Sequence, residues 1–502
     1  MIRKVLGALV VLLLIGVVGL FLYARSVLSS ESVRTTLEQQ LSERLGQPVT
    51  IGSANASIFP RVALQLTDVT IGKASPMTVG RISIATGLGG LFSRRVEDAE
   101  IVLSEGRVPL PASLVLVPAA SEETASADGA SFTVVSVRVI SLRDIDVVVG
   151  STTLRVDLES ALEGDRLAVS QLTAESPHTR LEASGELTSV KELQGTFSVN
   201  ADPLDVDELL TLTSGMTSAS PAPGPAGRAK PTPMSLVVDI KASKGRFAGF
   251  DFSNLGTKLD ARPGRISMSG LTLSMFGGTY DGTLNLDSSA ATPRLQLRGS
   301  VKGIDVSQLA TLAGAPGSIT GQLAGSVALA CDGTDASSML RTARGTSSAQ
   351  ITNGVIPGLD MVRTIVLAFG KPTGAPPEGS GSAFSRLGGD FNLQNGLVRT
   401  DTLSFQSRDF DMNGRAALTV PGGAINATVD VILSEELTAQ AGTDLRRYAQ
   451  EDGRVIVPAR ISGTIGDPQV TPDITAAVAR ALQNELKRRA KSFIEGLFKK
   501  KK

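Results

Sequence analysis

A single histidine, His178, and a single cysteine, Cys331, set a low ceiling on the chemistry this 502-residue chain can carry. A metal site built from several histidines, or a Cys–His nucleophilic pair, needs partners the chain does not own. His178 lies in Glu175-Ser176-Pro177-His178-Thr179-Arg180, a polar stretch that reads as an exposed turn. Serine catalysis would have to use it as the base, and no Gly-x-Ser-x-Gly elbow is visible. A lone cysteine makes neither a disulfide nor a zinc site, so Cys331 reads as a small buried apolar residue. The acid pairs Asp144/Asp146 and Asp409/Asp411 are spaced to share a strand face and could converge as paired carboxylates. Acids at strand edges are commonplace, and a catalytic pair also needs a cleft. Gly277-Gly278 and Gly388-Gly389 sit beside strand patterns with no helix opening behind them, which fits turns or bulges better than phosphate loops. No catalytic residue, metal ligand or cofactor is expected, and the chain is not expected to be an enzyme.

The elements that would carry any other function are mostly strands. Aromatics make up 4% of the chain, with no Trp, while Gly reaches 52. That composition predicts many short strands joined by turns. Val62, Leu64 and Leu66 alternate with small or polar residues, the phase slips at Asp68, and Val69 and Ile71 resume it. Ile266 and Met268 behave the same way up to Gly270, after which Leu271, Leu273 and Met275 continue. A one-residue slip is the signature of a β-bulge. The same alternation recurs at Leu154-Val156-Leu158, Leu284-Leu286, Leu295-Leu297, Leu403-Phe405 and Val429-Val431. One face is apolar and the other wet, so the sheet needs a cover: its own closure, a second sheet, or a curled and partly open form. Helices are scarce between residues 50 and 470, where Leu204–Leu212, Val306–Leu312 and Gly358–Phe369 are the candidates.

The two ends differ. Residues 1–4 carry Arg3 and Lys4, and residues 5–23 are uncharged, about 28 Å as a helix and close to the hydrocarbon thickness. The pattern predicts an uncleaved single-pass anchor with a cytoplasmic N-terminus and the bulk exported, which in a bacterium means inner membrane and periplasm. A helix then follows, capped by Ser30, with Val33, Leu37, Leu41 and Leu45 in one stripe that ends at Gly46 and Pro48. Residues 24–118 form a first block of helix and strands. Residues 119–130 read as a linker, 131–217 as a β-rich middle region, and 218–233 as a Pro/Ala/Gly-rich linker. A second β-region spans 234–471, with a flexible loop at 370–382. Residues 472–502 read as a basic amphipathic helix starting at Asp473, with Ile474, Val478, Leu482, Leu486, Phe493 and Leu497 in a stripe and a Lys tail. The expected course for that stripe is to cap the last sheet; a membrane surface is the alternative.

Across the whole chain 49 Lys and Arg balance 49 Asp and Glu, which argues against nucleic acid as a partner. What remains is a surface rather than a site: a curved sheet with an apolar concave face could shield acyl chains. The candidates for it are Leu64, Leu66, Ile266, Met268, Leu271, Leu273, Met275, Leu403 and Phe405.

Several segments taken in order resemble the AsmA family of membrane-anchored periplasmic proteins. Near the N-terminus these are Leu45-Gly46-Gln47-Pro48-Val49 and Ile58-Phe59-Pro60, leading into Leu64 to Gly72. In the middle stands Met275-Phe276-Gly277-Gly278-Thr279-Tyr280-Asp281-Gly282. Towards the C-terminus come Gly345 to Asp360 and Val457 to Pro468. The resemblance implies an N-terminal transmembrane helix followed by an extended, curved, largely antiparallel β-sheet groove with a few short helices. It implies a role in outer-membrane biogenesis, by handling phospholipid or lipopolysaccharide at the inner membrane, with an envelope protein as a further partner. It carries no catalytic residues. The competing reading is an assembly factor that binds outer-membrane polypeptide along its strand edges.

Overall fold

The computed structural model describes residues 30–57, 61–73, 75–87, 95–110, 133–217, 233–312, 314–368, 376–420, 423–440, 446 and 449–499. The expected anchor at 5–23 and the linker at 119–130 lie outside these residues, as do most of the linker at 218–233 and the first part of the loop at 370–382. Among the described residues no helix is long and apolar enough to cross a membrane. The chain is mainly β and divides into two compact units, Met1–Ile266 and Ser267–Lys502.

In the first unit, helix α1 (Ser30–Leu45) precedes β1 (Val49–Thr50), β2 (Ser53–Ser57), β3 (Val62–Ile71) and β4 (Met77–Thr86). Leu37, Leu41 and Leu45 are buried against Val49, Ile51, Leu64, Leu66 and Ile82, as the four-residue stripe predicts. Each such leucine contributes about 2–3 kcal/mol of burial. Polar groups fix the helix on its strand. Ile51 N–H donates to Glu38 Oε1 (2.8 Å), Ile51 C=O accepts from Arg34 Nη1 (3.2 Å), and Val49 N–H donates to Ser42 Oγ (2.9 Å).

The unit continues through β5 (Arg95–Val96), β6 (Ala99–Leu110), β7 (Thr133–Val134), β8 (Ser136–Val149), β9 (Thr152–Glu163), β10 (Arg166–Glu175), β11 (Arg180–Ser189), β12 (Gln194–Ala201) and β13 (Leu204–Asp205). Helix α2 (Val206–Thr217), β14 (Ser235–Phe247) and β15 (Phe250–Arg262) complete it. Sheet neighbours pair antiparallel except at two long joins, where β6 meets β8 and β12 meets β14 in parallel; the short β13 also runs parallel to β14, and β5 and β7 form a separate parallel pair. The sheet is therefore mixed, though its pairings are largely antiparallel, as expected. A parallel join needs a crossover; α2 lies in the second of these, and its Leu212 is buried with Leu110 and Val149.

The slip expected at Asp68 is present, but β3 and β4 stay in register across it, so it is not the expected bulge, and it is not solitary. Asp68 has φ 54°, and burial in β3 changes phase there, from Val62, Leu64 and Leu66 to Val69 and Ile71. Register places Asp68 across from Gly80, Gly80 across from Glu105, and Glu105 beside Asp144. Glu105 and Asp144 also have positive φ, 59° and 52°. The glycines make room: a Cβ on Gly52 would stand 3.0 Å from Asp68 Cβ, and one on Gly80 3.0 Å from Glu105 Cβ. Left-handed residues and glycines thus form a column crossing neighbouring strands at one level.

The second unit begins within β16 (Arg265–Met275), where Gly270 takes φ 58° at the other expected slip. Its strands are β17 (Gly278–Asp287), β18 (Arg294–Asp305), β19 (Gln322–Asp332), β20 (Arg344–Ile356), β21 (Ser382–Gln394), β22 (Leu397–Gln406), β23 (Phe410–Thr419), β24 (Ile425–Leu433), β25 (Gln450–Glu451), β26 (Arg454–Gly463) and β27 (Pro468–Pro472). From β17 to β24 each pairs antiparallel with the next, and β24 then pairs with β26. Asn395–Gly396 closes the hairpin between β21 and β22 with both residues at positive φ, the geometry whose twist suits flanking strands.

The helices of this unit are α3 (Val306–Leu312), α4 (Ala336–Thr342), α5 (Met361–Ala368), α6 (Glu435–Gln440) and α7 (Ile474–Lys499). Of these, α3, α5 and α7 were legible, whereas the short α4 and α6 were not. Met361, Ile365 and Val366 of α5 pack with Phe384, Phe405, Phe410, Met412 and Val431 into this unit's core. The Asp360 carboxylate accepts from Gly379 N–H (2.7 Å) and Gly381 N–H (2.8 Å), which ties down the end of the loop that follows α5.

Candidate functional site: a half-open apolar sheet face

In the second unit, register aligns one line of aliphatic residues across the strands. Leu284 pairs with Leu297, Leu297 with Leu329, and Leu329 with Gly345. The line runs on through Leu393, Val398 and Leu418 to Ile425. Directly paired residues project to the same face. A second line, Leu286–Leu295–Cys331, lies two residues further along. The row between them and its neighbour carry the opposite face: Arg298, Ala328, Thr346, Asn392 and Arg399 share one register position there.

The apolar face is covered unequally. At the other end of the same strands, Ile304, Leu323, Ile351, Leu387, Phe405, Met412 and Val431 occupy equivalent positions. There Phe405 is 0% exposed, stacked on Phe410 at 5.1 Å and tilted against Phe384 at 5.3 Å, beneath α5. The leucines of the first line are each only half-buried. Between the two ends the face is floored by small residues. Tyr280 lies across Gly282 and Gly299, its hydroxyl donating to Arg298 C=O (3.2 Å), and its burial raises the phenol pKa. A Cβ on Gly299 would stand 2.5 Å from Asp281 C=O and 2.7 Å from the Tyr280 ring. Gly299→Ala is therefore expected to cost about 1–3 kcal/mol through overpacking, read as a lowered urea midpoint.

The first unit has a comparable face of its own. Phe197, Val238 and Leu259 align, as do Val199 and Ile240 in the next same-face row, all half-buried. The intervening residues of β14 are led by Asp239 and Lys241, both exposed.

The expected lipid-facing residues divide by environment. Leu64 and Leu66 are 1% exposed under α1, and Phe405 is enclosed in the second unit's core. Leu403 is half-buried at the margin of that core, and Leu271 is buried. Met268, Leu273 and Met275 are half-buried, and Ile266 is 37% exposed. The line from Leu284 to Leu418 is missing from that set. Its Leu-x-Leu alternation was visible strand by strand, but only pairing brings the leucines together.

The residues considered for catalysis stand apart. His178 is exposed in a bend. Asp411 pairs with Arg454 (2.9 Å) and Asp146 with Arg155 (3.4 Å). The Cys331 thiol is pushed up in pKa by burial, the reverse of what a reactive thiolate needs. Among the described residues no group of three or more His, Cys, Asp or Glu is placed to hold a metal ion. A depression of about 740 Å³ between β19 and β22 mixes Asp390, Arg399 and Asp401 with Val327 and Phe391. Ten of its thirteen lining residues are polar or charged, unlike the hydrophobic and aromatic lining of a small-molecule pocket.

Fold and site together define a mainly β protein that offers extended one-sided apolar faces. The model of the AsmA family matches residues 227–403. Protein AsmA of Escherichia coli (strain K12) is 18% identical over 352 residues, covering 66% of this chain and 56% of that protein. The chain thus spans little more than half the length of this curated relative. These matches support membership of the AsmA family, as the ordered motifs had indicated. No solved structure matches the chain.

Proposed function

We propose that this is a cell-envelope protein of the bacterial inner membrane, anchored by residues 5–23 with its bulk in the periplasm. In this reading it handles lipid for outer-membrane biogenesis by seating acyl chains on the half-open apolar sheet faces. The observation that carries the reading is the register line Leu284–Leu297–Leu329–Leu393–Val398–Leu418. Six aliphatic side chains on neighbouring strands point to one face and keep part of their surface uncovered. Saturated chains suit such a lining because aliphatic contact needs no polar partner. The ligands are membrane phospholipid or lipopolysaccharide, which share the acyl chains this face would bind.

The test is photo-crosslinking in cells from Leu297 and Leu393, with Arg298 and Thr346 on the opposite face as controls. Phospholipid or lipopolysaccharide adducts from the apolar pair alone are the expected result. Adducts to envelope polypeptide would replace this reading with the assembly-factor one. Adducts from neither set, in a folded protein, would reduce the face to unfinished core.

A further inference from the structure

Helix α7 is docked the wrong way round for a soluble helix. Arg480 reaches back to the sheet, its Nη1 and Nη2 donating to Asp430 Oδ1 (2.9 Å) and Oδ2 (2.7 Å), with Nε 3.3 Å from Glu451. One turn on, Asn484 Nδ2 donates to Glu451 Oε1 (3.1 Å). At the helix start, Asp473 Oδ1 accepts from Ala476 N–H (3.1 Å) and Oδ2 from Arg460 Nε (2.8 Å). The polar face is thus the attached face. Val478, Leu482 and Leu486 recur at four-residue steps on the other side, 55%, 62% and 67% exposed. A soluble amphipathic helix buries such a stripe. This one holds it outward on polar anchors.

Charge identifies what meets it. Residues 474–502 carry nine Lys and Arg against two Glu, in a chain that is neutral overall. Glu485 is the acid nearest the stripe, and it is paired with Arg488 and with Arg489 (3.1 Å). In the sequence the remaining cations fall in the second half of the helix and in the Lys run that follows it. They match a diffuse negative surface rather than one acidic pocket. We propose that α7 lies in the surface of a bilayer containing anionic phospholipid. Val478, Leu482 and Leu486 enter the acyl boundary, and Arg488 and Arg489, two cations sharing the one acid Glu485, meet lipid phosphates. The sheet end at β24 to β26 is thereby held against that membrane through Arg480. The inference does not depend on the sheet faces binding lipid.

The chain contains no Trp, so Leu482→Trp in the full-length protein gives a single fluorescent reporter on the exposed stripe. With the protein kept soluble in amphipol, mixed phosphatidylglycerol–phosphatidylcholine vesicles bearing brominated acyl chains are titrated in. Blue-shifted and quenched emission is expected, absent with phosphatidylcholine alone and reduced by salt. Adding Arg488→Gln and Arg489→Gln is expected to weaken partitioning on the order of thirtyfold, with the far-ultraviolet circular dichroism unchanged. Equal quenching by both vesicle types would overturn the proposal, as would quenching by neither. Emission that is already blue without vesicles and shifts with protein concentration would assign the stripe to a second copy of the chain instead.

Discussion

Phe405→Ala is expected to lower the unfolding free energy by about 3–5 kcal/mol, the range for removing a buried aromatic side chain. The ring is enclosed on every side: Phe410 stacks on it, Phe384 tilts against it, and α5 closes the space above. Both aromatic neighbours come from other strands of the same sheet, so no one element can collapse into the space left behind. The aromatic contacts themselves add about 0.5–1.5 kcal/mol each beyond the area lost. Urea denaturation followed by circular dichroism reads the change. A loss below about 1 kcal/mol would mean that this end of the face is as open as the other.

The complementary experiment acts at the half-open end. Leu297→Ser combined with Leu393→Ser is expected to remove bound acyl chains while leaving the fold in place. Each leucine gives a chain about 1–1.5 kcal/mol of apolar contact. Each introduced hydroxyl then costs about 1–3 kcal/mol where the chain would cover it. Together these terms weaken binding by more than about a hundredfold. Stability falls less than with Phe405→Ala, because these leucines already keep part of their surface in water. The readout is phospholipid recovered per chain after purification, beside the thermal midpoint. Full lipid content in the double variant would sink the groove reading.

The sequence carried local geometry well and coverage poorly. The slips at Asp68 and Gly270 were legible because a phase change in alternation leaves a mark in the residue order itself. The spans of α3 and α7 were legible from stripes and caps. The two parallel joins were not, since β6 meets β8 across a long intervening segment and β12 meets β14 beyond α2, and no local pattern records such pairings. The same limit divided the candidate residues. Leu64 and Phe405 alternate as Leu297 and Leu393 do, because period two says which way a side chain points and not what stands above it. Helix α7 shows the limit most sharply. Its stripe predicts burial, and Arg480 with Asn484, unremarkable in the sequence, decide the opposite.

The column from Gly52 through Asp68, Gly80 and Glu105 to Asp144 works like a shared reading frame for the first unit. On one side of it, each strand presents one parity of residue to the core; beyond it, the other parity. Deleting Asp68 alone would leave β3 in the old frame while its neighbours change. Val69 and Ile71 would still face the core, but one residue out of register with β4, with no local turn to absorb the error. Length changes in these strands are therefore tolerable at their loops but not between the column and the far strand ends. The sheet can gain or lose residues only where its neighbours are not counting.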